Sequence, residues 1–132
     1  MGYAMIHGLA MIALAGLFGA GDRFDLICSV PDYNGLRPTA IEVRVDLARR
    51  VYCIDACEAG AAITQVNDTA ILLYDGDDGG RHKMRISLLR DAAGRTELHF
   101  YRGSHPDRRG VCETRPFSGV PDPRPGLLGA PG

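Results

Sequence analysis

The residues of this chain best suited to chemistry are four cysteines, at positions 28, 53, 57 and 112. Cysteines serve as disulfides, as metal ligands or as redox pairs, and their spacing distinguishes these uses. Cys53 and Cys57 are four residues apart, so they lack the Cys-x-x-Cys spacing of a zinc knuckle or a redox pair, and no second close pair exists. The pattern favours disulfides in an exported protein.

Four cysteines allow three connectivities, and sequence alone does not choose among them. We prefer Cys53–Cys57 together with Cys28–Cys112, because Cys28 falls in the first predicted strand and Cys112 in the last. In an up-and-down closed sheet those two strands are neighbours. By the chain-entropy model, closing so long a loop contributes about 4 kcal/mol.

The candidate imidazoles in the body of the chain are His82, His99 and His105. His99 draws most attention because the hairpin register derived below sets it beside Ser87, with Glu97 nearby. A serine, a histidine and a glutamate support acyl transfer only with a nucleophile elbow or oxyanion donors, and the sequence contains no Gly-x-Ser-x-Gly. We therefore expect no catalytic residue here.

The same face of that hairpin suits contact with a ligand or partner. It carries Arg85, Ser87, His99 and Tyr101, which we take as candidate binding residues. The alternative is a metal- or thiol-dependent periplasmic enzyme that uses Cys53, Cys57 and His99.

The acidic loop at residues 75–80 invites a calcium interpretation, but an EF-hand loop starting at Asp75 would need an oxygen ligand at Gly79 and a glutamate at Ile86. We expect a solvated hairpin tip, no metal site and no cofactor. With 15 basic and 16 acidic residues the formal net charge is −1, so we expect no nucleic-acid partner. The arginine doublets at residues 49–50 and 108–109 fall at presumed turns and need no partner.

Alternating apolar residues predict the elements that position these side chains. Phe24, Leu26, Cys28 and Val30 share one face of the first strand. Residues 41–48 alternate apolar and charged, which is typical of a half-buried strand with a solvated outer face. Further strands are predicted at residues 51–54, 62–66, 70–74, 83–88, 97–101 and 111–113. We predict an all-β fold, a small antiparallel meander forming a barrel or sandwich of seven or eight short strands.

One hairpin register follows from burial. If Ile86 and Leu88 face the core, Leu88 must pair with Leu98 and Ile86 with Phe100. Ala92-Ala93-Gly94 then forms the loop, with Gly94 as its left-handed residue.

The two ends of the chain differ in composition from its body. Residues 8–20 form an uncharged apolar run that is too short to span a bilayer, so we expect a signal peptide over residues 1–21 and no stable membrane span after cleavage. Residues 22–115 are predicted to be a single β-domain. Residues 116–132 hold five of the eight prolines and are predicted to be a Pro/Gly-rich tail, with Phe117 and Val120 able to contact the barrel.

The order of features resembles a group of small, uncharacterised exported proteins from alphaproteobacteria. The residues that carry the resemblance are Phe24 to Cys28, Val45-Asp46-Leu47, Tyr52-Cys53 with Cys57, Gly110-Val111-Cys112, and Pro116 to Gly119. The resemblance implies an exported β-protein with cysteines and implies no activity. From the alternating strands, the near-neutral charge and the incomplete catalytic constellation, we expect a periplasmic or secreted, non-catalytic module with a binding, inhibitory or envelope-structural role, whose partner is an unidentified protein or small molecule.

Overall fold

The computed structural model describes residues 21–32, 35, 37–77, 82–90 and 92–123. Within them it contains nine strands and no helix. The strands are β1 (Arg23–Pro31), β2 (Pro38–Asp46), β3 (Val51–Ile54), β4 (Ala61–Ala62), β5 (Gln65–Val66), β6 (Ala70–Asp77), β7 (Lys83–Arg90), β8 (Thr96–Arg102) and β9 (His105–Arg115). The predicted signal peptide up to residue 20, the loop tip at residues 78–81 and the chain after residue 123 lie outside the described residues.

The strands form one antiparallel sheet in the order β4-β3-β2-β1-β9-β8-β7-β6-β5, which curls into a half-barrel. Strands consecutive in the chain are neighbours except for β4 and β5, which lie at opposite edges of the sheet, and β9 returns to pair with β1. The edge strands β4 and β5 are joined by Ile63 and Thr64. The Ile63 N–H donates to the carbonyl oxygen of Arg50 at 2.9 Å, and the Thr64 N–H donates to that of Leu72 at 2.9 Å. This short segment is therefore hydrogen-bonded toward both ends of the sheet.

The all-β meander is confirmed, and the strand count differs for a local reason. The run at residues 62–66 is not one strand: it bends between β4 and β5, each of which has two residues. The last strand is longer than expected. Because β9 has eleven residues, Arg108 and Arg109 lie within a strand, and the prediction that they sit at a turn is wrong.

The concave side of the sheet holds the hydrophobic core. The alternating residues Phe24, Leu26, Cys28 and Val30 are all completely buried, and they meet Val43 and Val45 of β2 and Leu88 and Leu98 of the β7–β8 hairpin. The predicted register of that hairpin is confirmed: Leu88 pairs with Leu98 and Ile86 with Phe100. Gly94 has a φ of +82°, as the loop requires.

The convex side is partly covered by the chain itself. After β9, residues 117–122, which we call the strap, cross the outer faces of β1, β2 and β3. Val120 is buried against Val51 and Cys53, and the partly buried Phe117 packs on the same cluster. The described part of the proline-rich segment therefore packs against the sheet.

Candidate functional site

The outer face of the β7–β8 hairpin gathers the four predicted binding residues. Ser87 pairs directly with His99, and Arg85 pairs with Tyr101. Because side chains alternate between the two faces of a strand, all four project from the convex side. The sequence-derived register thus placed them together correctly.

His99 is held by neighbours on its own strand. Its Nε2 lies 2.9 Å from Oε1 of Glu97, and the hydroxyl of Tyr101 lies 3.4 Å from its Nδ1. The two rings stack with centroids 5.9 Å apart and 19° between their planes. In a neutral ring, an Nε2–H that donates to Glu97 leaves Nδ1 to accept from Tyr101, so the contacts favour that tautomer.

The face is drier than a solvated sheet surface. Ser87 is 7% exposed and His99 9% exposed. Arg85 reaches solvent, with 55% of its side chain exposed and its Nε 3.9 Å from Oδ1 of Asp75. The groups accessible to a partner are therefore the Arg85 guanidinium and part of Tyr101. His99 contacts both Glu97 and Tyr101 and so holds the Tyr101 ring in place.

This geometry favours positioning over nucleophilic catalysis. One ring nitrogen of His99 contacts Glu97 and the other contacts Tyr101. Neither nitrogen is therefore directed at the Ser87 hydroxyl. A serine nucleophile needs an imidazole within hydrogen-bond reach to accept its proton.

An apolar depression adjoins the polar face. It lies between β1 and β9, has a volume of about 300 Å³, and is lined by Ile27, Cys28, Ser29, Ala40, Val111, Cys112 and Glu113. Val111 is 42% exposed, the largest exposure of a big apolar side chain among the described residues. Its ladder partner on β8 is Glu97, so Val111 lies beside one end of the row that holds His99. The sequence does not predict this depression, because it predicts a strand at residues 111–113 without indicating that the Val111 side chain is exposed.

The cysteines form two disulfides, Cys28–Cys112 and Cys53–Cys57. This is the connectivity preferred from the sequence. Cys28 and Cys112 are directly opposed on β1 and β9, and 84 positions separate them in the chain. Two disulfides indicate an oxidising, non-cytoplasmic environment.

The structure does not bring together the three residues of the alternative enzyme. Cys53 lies on β3 and His99 on β8, and β2, β1 and β9 run between those strands in the sheet. Cys53 and Cys57 are bonded to each other, so neither presents a thiolate while the bond is intact. Among the described residues, no cluster of three or more His, Cys, Asp or Glu side chains has a geometry suited to a metal ion.

One ionisable side chain in the core has a shifted pKa. Tyr52 is 7% exposed, and its burial, with a smaller contribution from the neighbouring Tyr74, raises its pKa above the ordinary value of 10.0. The cause is the cost of placing a phenolate charge in an apolar interior.

Sequence reasoning missed a set of acidic and basic residues on the convex side. The outer face of β2, which is predicted to be solvated, instead contains Asp46, which is 2% exposed, and the same face of β1 contains Asp25, which is 5% exposed. Asp46 accepts from Nε of Arg23 at 3.3 Å and from the backbone N–H of Arg49 at 3.1 Å. The expectation that Arg49 needs no partner is wrong, because its guanidinium also bonds the carbonyl oxygen of Val120 at 2.9 Å. The only indication in the sequence that a segment covers this face is the pair of apolar residues Phe117 and Val120 in the proline-rich segment.

Comparison with known proteins adds no relative: no family model, curated protein or solved structure matches the chain. In the part of the chain that the structure describes, no helix has the length and apolar character needed to cross a membrane.

Proposed function

We propose that this protein is a small exported binding module, without catalysis of its own, that holds a protein or small-molecule partner on the convex face of β7, β8 and β9. The observation that carries the proposal is that a fixed polar row and an apolar depression adjoin each other. Glu97, which holds His99 in a row with Tyr101, is the ladder partner of the exposed Val111, and Val111 lines the depression.

Packing on the concave side of the sheet favours a binding site on the outer surface and not in the interior. Its positions are filled by a packed cluster of apolar side chains that includes Phe24, Leu26, Leu88 and Phe100. A lipocalin-like use of the interior would require a cavity there. We therefore expect a partner to bind on the convex face of the sheet.

The chemistry of the surface describes the partner in outline. An apolar patch bordered by a few fixed polar groups is the usual composition of a binding site. Arg85 offers a forked donor that suits a carboxylate or a carbonyl oxygen, and Tyr101 offers a rigid aromatic ring with a hydroxyl. A ring already held by stacking and hydrogen bonds loses little conformational entropy on binding.

The cysteines and the amino end of the chain support the compartment that we propose. The two disulfides need an oxidising environment, and the apolar run at residues 8–20 matches the central region of a secretory signal. We place the protein in the periplasm or outside the cell, where a binding, inhibitory or envelope-structural role fits its stapled fold.

The test compares three full-length baits against extract of the native compartment. They are the wild-type chain, the double variant Arg85→Ala/Val111→Ser, and Arg37→Ala, which removes an exposed arginine elsewhere on the surface. A partner that the wild type and Arg37→Ala retain should bind the double variant at least about tenfold more weakly, which is about 1.4 kcal/mol. Equal recovery on all three baits would contradict the proposed site, and turnover of a substrate by the wild-type chain would contradict the absence of catalysis.

A further inference from the structure

The strap lies against a surface that we call the seat. The seat is formed by Asp25, Arg44, Arg49, Val51, Cys53 and Gly60. Asp25 accepts from the backbone N–H of Ser118 at 3.2 Å and from its hydroxyl at 2.5 Å. Further along, one residue of β2 and two residues of the adjoining loops donate to three successive carbonyl oxygens: Arg44 to Gly119 at 3.3 Å, Arg49 to Val120 at 2.9 Å, and the Gly60 N–H to Pro121 at 3.1 Å. Arg49 also pairs with the carboxylate of Asp122.

A small apolar pocket completes the seat. Val120 is 6% exposed and packs on Val51 and Cys53, with Phe117 and Cys57 at the margin. Both cysteines of the Cys53–Cys57 disulfide therefore belong to the apolar cluster that receives Val120.

Gly60 shows that the strap lies unusually close to the sheet. A Cβ at this position would lie 2.5 Å from the carbonyl oxygen of Pro121 and 2.9 Å from a methyl carbon of Val120. Only glycine lets the strap backbone approach near enough for the Gly60 N–H to donate to Pro121.

We propose that this seat is a peptide-recognition site, and that the same segment of a second copy of this chain occupies it when the chain's own strap is displaced. Recognition runs through backbone carbonyl oxygens, one serine, one small β-branched side chain and one carboxylate. None of these contacts depends on the strap belonging to the same molecule. The site lies on β1 to β3, on a different part of the sheet from the surface of the proposed function.

The covalent link between the strap and its own sheet determines which copy's strap occupies the seat. The strap follows directly from β9, so its effective concentration at its own seat is of millimolar order, and the intramolecular contact dominates in dilute solution. Exchange between copies follows when the intramolecular contact is weakened or the protein concentration is high, because exchange of an identical element between protomers is a low-cost route to dimers. The prolines at residues 121 and 123 also limit the entropy lost on docking.

The first experiment measures binding of a fluorescently labelled peptide of residues 116–123 to full-length chains. The strap-weakened receptor is Ser118→Ala/Val120→Gly, and it should bind the peptide at least about tenfold more tightly than the wild type, whose seat is filled. Adding Arg49→Ala to this receptor should remove the gain, whereas adding Arg37→Ala should not. Equal binding by receptor and wild type, or equal binding of a scrambled peptide, would overturn the proposal.

The second experiment identifies the second copy as the occupant. The strap-weakened receptor is mixed with an Arg49→Ala chain, whose strap is intact and whose seat is damaged, and native mass spectrometry counts the species. A heterodimer in the mixture, with no homodimer when either chain is measured by itself, supports exchange. Peptide binding without a heterodimer would contradict exchange. Disulfide content and circular dichroism verify folding, and Val120→Ala replaces the double variant if that variant fails to fold.

Discussion

Gly94 shows how one residue's backbone fixes the geometry of the candidate site. Its φ of +82° turns the chain between β7 and β8, and the register it sets pairs Ser87 with His99. A Cβ at this position would meet only the tip of Arg90, at 3.9 Å, so any penalty of substitution is conformational and not steric.

We expect Gly94→Val to lower the free energy of unfolding by roughly 1–2 kcal/mol, through the left-handed strain imposed on a β-branched residue. Chemical denaturation of both proteins measures the difference. Ala93→Val, one position earlier in the same exposed loop, is the matched control and should have a smaller effect. Identical denaturation midpoints for wild type and Gly94→Val would show that this position is not held in the left-handed region.

Tyr52 makes stability depend on pH at the alkaline end. Its pKa in the folded protein is raised above the value of about 10 that it has in the unfolded chain, so the folded state keeps a proton that the unfolded state loses. The contribution of Tyr52 is constant well below pH 10, and the free energy of unfolding falls as pH rises through 10 toward the folded-state pKa. Tyr52→Phe should therefore lose less stability between pH 8 and pH 11 than the wild type. Parallel stability curves for the two proteins would contradict the shift.

At the scale of elements, the hairpin was accessible to sequence reasoning and the strap was not. The β7–β8 register depends on alternation and one glycine, both of which are local, so Leu88 and Leu98 were paired correctly. The burial of Asp25 depends on Ser118, which is 93 positions away, and no local pattern encodes that contact. The split of residues 61–66 into β4 and β5 likewise depends on which strands lie on either side.

The strap gives a prediction for Gly60. Because a Cβ there would overlap Pro121 and Val120, Gly60→Ala should lift the strap from the sheet while leaving the core intact. We expect faster amide hydrogen exchange and faster proteolysis at residues 117–121, with little change in the core strands. Val120→Ala should loosen the same segment from the other side of the contact. Unchanged exchange in the strap of Gly60→Ala would contradict the close approach described here.

At the scale of the whole molecule, the two disulfides should differ in worth. Cys28–Cys112 closes a loop with a sequence separation of 84, and Cys53–Cys57 one with a separation of only 4. By the chain-entropy model the first contributes at least about 4 kcal/mol and the second about 2 kcal/mol. Replacing both members of a pair with alanine and measuring denaturant unfolding compares them. A greater loss for the Cys53/Cys57 pair would show that native packing, and not chain entropy, sets the order.

The sequence accounted for the fold class and cysteine pairing because strand alternation and an up-and-down order bring the first and last strands together. It identified the residues of the polar face, Arg85, Ser87, His99 and Tyr101, from the same alternation. It did not show that Ser87 and His99 are nearly buried, or that an apolar depression adjoins them, because both depend on how β9 and β1 lie beside the hairpin. Surface shape is a property of the assembled sheet.

We propose that the protein is exported and that its four cysteines serve as two structural disulfides. Intact mass of the protein isolated from its native compartment, measured before and after reduction, tests it most directly. The account predicts a gain of four hydrogen masses on reduction, two for each disulfide, with peptide mapping that pairs Cys28 with Cys112 and Cys53 with Cys57. Free thiols at Cys53 and Cys57 in the native protein, with a bound metal ion in stoichiometric amount, would contradict it.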